Sequence, residues 1–493
     1  MLSVRIPLFV ILLAVCLDRA AGSDGPDYPC YRNADGSGSG SAYDGRLITE
    51  IGQRRLLWES EEQRLASSYS FIIGGAGGPV IADGRVYVYY SFPSDELNQD
   101  YFDQKAKGRD LGKHAKTHEP LAAAMGFTSI ADYIRTKCAL NSDDIVLCCD
   151  LETGKTLWKR VYEKSAVNRS TSSRGILKWN KTGPHIIPAV AYGKVCTMLD
   201  RGAIVCLDAE TGDELWRKGR IGRVDPHVKK DADGDKIRYG SQNKGVMLFG
   251  GGCFVCLRGD DLVGYRQEDG TEAWRVEGVG GGRGGCVVRT ELDGRELAVG
   301  PSGAVVDLAA GKMLYSCDAL GGCFPAISQE GIAVFGGYNS DRSRDADKRK
   351  AGLQAYQLGP DGAKKLWELD RELVSRDLAL VIIGDRVLGK VGSPNRGQSR
   401  FISVDLATGT DIRFTEDFRS DGAGGSIGVG GQLVFYDKNL IVADPDGYRR
   451  DPASGLINDN DPDWCSSHTA AAVGPYLVVR GQYSLKCFDL RAR

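Results

Sequence analysis

Asp150-Leu151-Glu152-Thr153-Gly154-Lys155-Thr156-Leu157-Trp158 returns 58 residues later as Asp208-Ala209-Glu210-Thr211-Gly212-Asp213-Glu214-Leu215-Trp216. An apolar run enters each copy, Ile145-Val146-Leu147-Cys148-Cys149 in one and Ile204-Val205-Cys206-Leu207 in the other. A strand thus runs into Asp-x-x-Thr-Gly and a second strand leaves through the aromatic. Gly supplies the positive φ of the hairpin, and the Asp and Thr side chains cap the turn's backbone donors. The aromatic then holds a fixed place on an outer strand, where it wedges between neighbouring blades.

Four weaker copies follow: Gln267-Glu268-Asp269-Gly270 with Trp274, Asp307 to Gly311 with Tyr315, Asp361-Gly362 with Trp367, and Asp405 to Gly409 with Phe414. The gaps between successive aromatics are 58, 58, 41, 52 and 47 residues. This is the span of a four-stranded propeller blade with its loops, slightly longer than the ~40–45 residues of WD40 repeats. A second hairpin lies upstream of each motif, as in Pro79-Val-Ile-Ala-Asp83-Gly84-Arg-Val-Tyr-Val88. These inner hairpins begin near Gly78, Pro184, Lys244, Gly285, Cys323, Arg376, Gly425 and Thr469. The expectation is an all-β, eight-bladed propeller of four-stranded antiparallel blades over residues 46–493.

The last copy, Leu485-Lys-Cys487-Phe-Asp489-Leu490, stops before an aromatic strand, whereas Arg54-Arg-Leu-Leu-Trp58 is an outer strand without a blade. Pairing the two closes the ring and removes its open edges. Residues 92–142 break the repeat. Glu119 to Arg135 in that stretch is Ala-rich and helix-like, so one or two short helices are expected as an insertion in the first blade. Arg342 to Lys350 reads as a solvated loop.

Composition agrees with an all-β chain. Glycine is 65 of 493 residues, nearly twice the usual ~7%, as many tight turns require. The net charge of -2 is mixed along the chain and gives no support for a nucleic-acid partner. Arg5, the apolar stretch Ile6 to Leu17 and Ala20-Ala21-Gly22 read as a signal peptide, 1–22, cut before Ser23; lipid attachment at Cys16 is the alternative. An N-terminal extension, 23–45, follows. No second apolar stretch approaches ~20 residues, so no membrane span is expected in the mature chain. Export places it in the periplasm or outside the cell. Of 14 cysteines, 13 remain after loss of Cys16; the odd count leaves at least one free thiol.

The Asp-x-x-Thr-Gly-x-x-x-Trp repeats resemble those of PQQ-like propellers, shared by quinoprotein dehydrogenases and BamB-type outer-membrane assembly proteins. The resemblance covers roughly residues 28–493 and is degenerate in the seventh blade. The opening Tyr31-Arg32-Asn33-Ala34-Asp35-Gly36-Ser37-Gly38 resembles the Trp-Arg-Gly-Pro-x-Gly-x-Gly start of exported PQQ-like propellers common in planctomycete-type bacteria. For a dehydrogenase the resemblance implies PQQ in the central channel, a Ca²⁺ or lanthanide ion, an Asp base and often a vicinal disulfide.

The candidate chemistry is thin. Cys148-Cys149 is vicinal, but Cys148 aligns with Cys206 and Cys487, each two residues before the motif Asp; this reads as a small residue in a tight strand slot. Cys253 and Cys256 lie in one strand whose alternation sends them to opposite faces. Asp231-Ala-Asp233-Gly-Asp235 lacks the Glu that completes a calcium loop, and Asp459 to Asp463 is similar. His114 and His118, with Glu119 adjacent, could share a helix face but give only two ligands. The other histidines, His185, His227 and His468, stand alone. The run Gly280 to Gly285 is not followed by a helix and reads as a loop between blades. No Cys-x-x-Cys-His, nucleophile elbow or phosphate loop occurs. No catalytic, cofactor or metal residue is therefore assigned. The expected function is an exported envelope module that binds a protein or glycan partner; a PQQ- and Ca-dependent oxidoreductase is the alternative.

Overall fold

A computed structural model describes, with short interruptions, residues 28–65, 77–94, 126–167, 186–222, 246–319, 324–338, 351–369, 380–443 and 470–492, and isolated residues between 97 and 123. Antiparallel sheets follow one another along the chain. Sheet 1 is Val80–Ala82, Arg85–Pro93, Asn141–Asp150 and Thr156–Val167; sheet 2 runs from Ala189–Ala191 to Glu214–Lys218. Sheets 3, 4 and 5 begin at Met247–Gly250, Val288–Leu292 and Ala326–Ile327. Sheet 6 begins at Val381–Ile383 and adds a fifth short strand, Phe418–Arg419. Sheet 7 is Gly425–Val429, Gln432–Tyr436 and Leu440–Ala443, and sheet 8 combines Ala470–Val473, Tyr476–Arg480 and Leu485–Asp489 with Arg55–Glu59.

Seven of these sheets have four strands or more, so the described residues form seven complete blades and not the eight expected. Sheet 7 has three strands among the described residues. Residues 444–469, which follow it, lie outside the described residues.

The inner strands are apolar on both faces because each sheet is covered on both sides by its neighbours. Val80–Ala82 is buried throughout, as are Ile204 to Leu207. The outermost strand of sheet 2 alternates instead, with only Trp216 buried between exposed or half-buried neighbours. Five of the six motifs also carry a β-bulge. Cys148 pairs with Trp158 and Cys149 with Thr156, so Leu157 is left over; Leu215 is left over in the same way. The bulge re-aims the tryptophan toward the next sheet. It also leaves the outer edge irregular, which discourages strand addition.

Ring closure occurs as the sequence implies. Leu56 pairs with Phe488 and Trp58 with Cys487. Asp489 binds Arg55 at 2.7 Å and Arg491 at 2.9 Å. Arg480, fully buried, donates to carbonyls of Gly77, Tyr89 (3.0 Å) and Leu65 (2.9 Å), tying sheet 8 to sheet 1.

The insertion is shorter than expected, because the second and third strands of sheet 1 run on to Pro93 and from Asn141, with Phe92 opposite Asp143. Helix is nearly absent among the described residues. The insertion's described helix is Ile130–Lys137, capped by Ser129 Oγ, which accepts the Asp132 N–H at 3.1 Å. No helix among the described residues is long and apolar enough to cross a membrane.

Candidate functional site on the ring axis

The innermost strand of each sheet presents one backbone edge to the axis, and buried N–H and C=O groups there need partners. Residues 28–41 supply them. Tyr28 exchanges two main-chain bonds with Ile81 of sheet 1, and Pro29 O accepts from Val190 of sheet 2. Gly36 O accepts from Ile327, Ser37 O from Ile382, and Gly38 O from Gly428, in sheets 5, 6 and 7. Gly428 O accepts from Gly40, and Ser41 Oγ accepts from Gly474 of sheet 8 at 2.9 Å. Sheet 4 joins through Arg289, which donates to Ala34 O at 2.7 Å, Phe249 O at 3.0 Å and Glu296 at 2.7 Å. One segment therefore bonds to the inner strands of sheets 1, 2, 5, 6 and 7, to Arg289 of sheet 4 and to the first hairpin of sheet 8.

Its side chains complete the packing. Arg32 is buried and donates through Nη2 to Leu380 O and, at 3.3 Å, to Ser37 O; its Nε has no partner. Arg32 and Asn33 sit at φ +65° and +63°, a conformation that L side chains adopt only at a cost. Asp35 accepts from the Ser37 N–H at 2.9 Å and hydroxyl at 2.8 Å, and burial raises its pKa. Tyr31 meets Phe324 edge-on at 5.3 Å. Cys30 is wholly buried and pushed up to about 12 by burial. A Cβ on Gly36 would lie 2.6 Å from Arg289 O, so the segment is pressed against the channel wall.

The residues on this level of the axis do not fit PQQ. Backbone from Tyr28 to Ser41 and the buried Arg32 and Arg289 side chains occupy this level of the axis. Nor do the vicinal cysteines face it. Cys148 stands opposite Trp158 in one core cluster and Cys149 lies in another, both free, buried and pushed up to about 12 by desolvation.

The cysteines two residues before the motif Asp share one place: Cys148, Cys206 and Cys487 stand opposite Trp158, Trp216 and Trp58. Each of these indoles donates to a carbonyl one sheet on, Trp58 to Leu151 (2.6 Å), Trp158 to Ala209 (3.2 Å) and Trp216 to Gln267 (2.9 Å). In sheet 3 the slot is Gly264, the indole of Trp274 lies against it, and its Nε1 is buried without a partner. Cys256 lies near the Cys196–Cys206 pair, and Cys253 lies three residues away along the strand. The ten cysteines among the described residues are all buried.

A buried polar cluster that sequence reading missed joins sheets 1 and 2. Asp144, with no exposure, accepts from Tyr89 and from Ser165 at 2.6 Å, and the Asp200 N–H reaches it at 3.4 Å. Burial first, then the charge of Asp200, raises Asp144 to about 7. Arg258 of sheet 3 donates to Gly202 O at 2.6 Å beside it. Only the Asp in mid-strand signals this cluster in the sequence. At the root of the insertion a cleft of about 230 Å³ is lined by Arg64, Tyr90, Phe92, Pro93, Asp143 and Lys159, among others. His114, His118, His185, His227, His468, Asp231 to Asp235, Asp459 to Asp463 and the 1–22 segment lie outside the described residues.

A family model described as outer membrane protein assembly factor BamB matches residues 142–316, from the third strand of sheet 1 to the end of sheet 4. Subunit 1 of the cytochrome c methanol dehydrogenase of Methylobacterium organophilum is 23% identical over 254 residues, 47% of this chain. The chain spans 38% of the length of that relative. Among solved structures, BamB from Moraxella catarrhalis is similar at TM-score 0.45 and 12% identity, over 71% of this chain and 89% of that one. The quinohemoprotein alcohol dehydrogenase of Comamonas testosteroni is similar at 0.43 and 14%, over 96% and 82%. The chain is a β-propeller of four-stranded antiparallel blades whose repeats over 142–316 are of the PQQ-like, BamB-like kind.

Proposed function

We propose that the chain is an exported propeller of the cell envelope that works as a binding module for a protein or glycan partner. Residues 1–22 are its signal peptide, 23–45 its extension and 46–493 its ring. The observation that carries this reading is the filled axis. With Arg32, Gly36 and Ser37 occupying that level of the channel, the surface left for recognition is the rim. The cleft at the root of the insertion is one concavity among the described residues, offering Arg64 and Lys159 beside Phe92. The match of residues 142–316 to the assembly-factor model supports a protein partner.

The second reading is a PQQ- and Ca-dependent oxidoreductase, favoured by the stretch similar to a methanol dehydrogenase subunit. It requires the cofactor to lie away from the level that residues 28–41 fill. Titrating the purified mature protein with PQQ and Ca²⁺, with absorbance and melting temperature as readouts, tests both. A stoichiometric complex with a raised melting temperature refutes the binding-module reading. Without one, deletion of residues 94–140 is expected to abolish cross-linking to a partner in intact envelopes; unchanged cross-linking moves the interface off the insertion.

A further inference from the structure

We infer that the axial channel of this ring is a peptide site whose resident ligand is the chain's own segment 28–41. The inference is independent of what binds the rim. Residues 28–41 belong to no sheet; they meet the inner strands of several sheets through main-chain hydrogen bonds, with β-bridges at Tyr28 and Ser39, and backbone bonding to strand edges is a usual mode of peptide recognition. Specificity comes from the side chains. Arg32 inserts a buried guanidinium that reaches Leu380 O, and Ser39 Oγ donates to Ile382 O at 2.8 Å. Gly36 and Gly40 are bare where a Cβ would strike Arg289 O and Ala472 O. The left-handed Arg32 and Asn33 hold their conformation because their surroundings dictate it. The segment is joined to the ring through Asp44, Gly45 and Arg46, which are exposed. It is thus a ligand on a tether, and any small molecule seeking this level of the axis competes with it.

The test inserts a specific protease site between Asp44 and Gly45 of the full chain and cuts the folded protein. The expected result is that the segment stays with the ring through gel filtration and exchanges slowly with a labelled peptide of residues 28–44. A peptide carrying Arg32→Ala, which loses a buried charge-assisted bond, should bind about 10- to 100-fold more weakly. Immediate loss of the segment with an unchanged melting temperature, or equal binding of the Arg32→Ala peptide, overturns the inference. Hydrogen exchange on the uncut chain decides independently of how the cut ring behaves. Arg32→Ala should expose the amides of Ile382 and Gly428, which donate into the segment, while amides of the outer strands stay protected. Equal protection at Ile382 and Gly428 in both proteins refutes it.

Discussion

Gly212→Ala and Gly193→Ala make the same chemical change in one sheet, and the structure assigns them different costs. Both glycines are left-handed, at φ +76° and +70°. Alanine in that region costs roughly 1–2 kcal/mol. At Gly193 nothing lies within 4 Å of the added Cβ, so strain is the whole cost. At Gly212 the Cβ would lie 2.6 Å from Cδ2 and 2.7 Å from Cε3 of Trp158, inside the van der Waals limit. Trp158 cannot withdraw freely, because its Nε1 donates to Ala209 O in the turn it packs on. Overpacking adds about 1–3 kcal/mol, for a total of about 2–5 kcal/mol. Urea denaturation followed by circular dichroism and tryptophan fluorescence compares the two, with slopes checked for a change in cooperativity. In a Trp158→Ala background the extra penalty at Gly212 should vanish. Equal midpoints for the two alanine variants, or an undiminished penalty without Trp158, would refute the view that the turn glycine exists to admit the neighbouring indole.

Asp144 is held at about 7 by burial and by Asp200, so the folded chain keeps a proton that the unfolded chain releases near ~4. The stability from this site is complete below about pH 4 and is lost as pH rises through about 7. Melting temperature should therefore fall between pH 5 and 8 more steeply in the parent than in Asp144→Asn; parallel profiles would show that Asp144 is not the titrating group. Arg480→Lys cannot span the carbonyls of Gly77, Tyr89 and Leu65, and should cost about 2–4 kcal/mol in urea denaturation, with a neutral result excluding a role for Arg480 in closing the ring. Cys148 and Cys149, buried and pushed up to about 12, should escape iodoacetamide at pH 8 until urea is added, as mapped by peptide mass spectrometry. Labelling of either in the native protein would mean that sheet 1 opens readily.

Much of the ring is legible in the chain because it is built from local rules repeated. Asp208 Oδ1 accepts the Glu210 and Thr211 N–H groups at 2.9 and 2.8 Å, as an Asp-x-x-Thr-Gly turn demands. The apolar runs sit in inner strands, and the orphan strand at Trp58 finds Cys487 because closing the edge is worth more than leaving it open. Counting hairpins overstated the complete blades, since a hairpin signal covers two strands and says nothing of a fourth. The insertion bounds were too wide because Phe92, Pro93 and Ser142 join the ladder through backbone pairing, which composition does not encode.

The axial site needed the tertiary structure. Gly36-Ser37-Gly38-Ser39-Gly40-Ser41 has the composition of a flexible linker, yet Ser37 is buried and Gly36 is pressed against Arg289 O. Small residues there answer to a narrow space made by strands hundreds of residues away, and no local pattern records that. The same holds for Asp144 and Asp200, brought together across 56 residues of sequence. The sequence by itself determined the repeat, its turns, the wedge aromatics and the closing strand, because each depends on neighbours a few residues apart or on an edge that must be paired. Only the tertiary structure decided what fills the axis and which buried carboxylates lie side by side, because both follow from the curvature that the closed ring imposes on all its sheets at once.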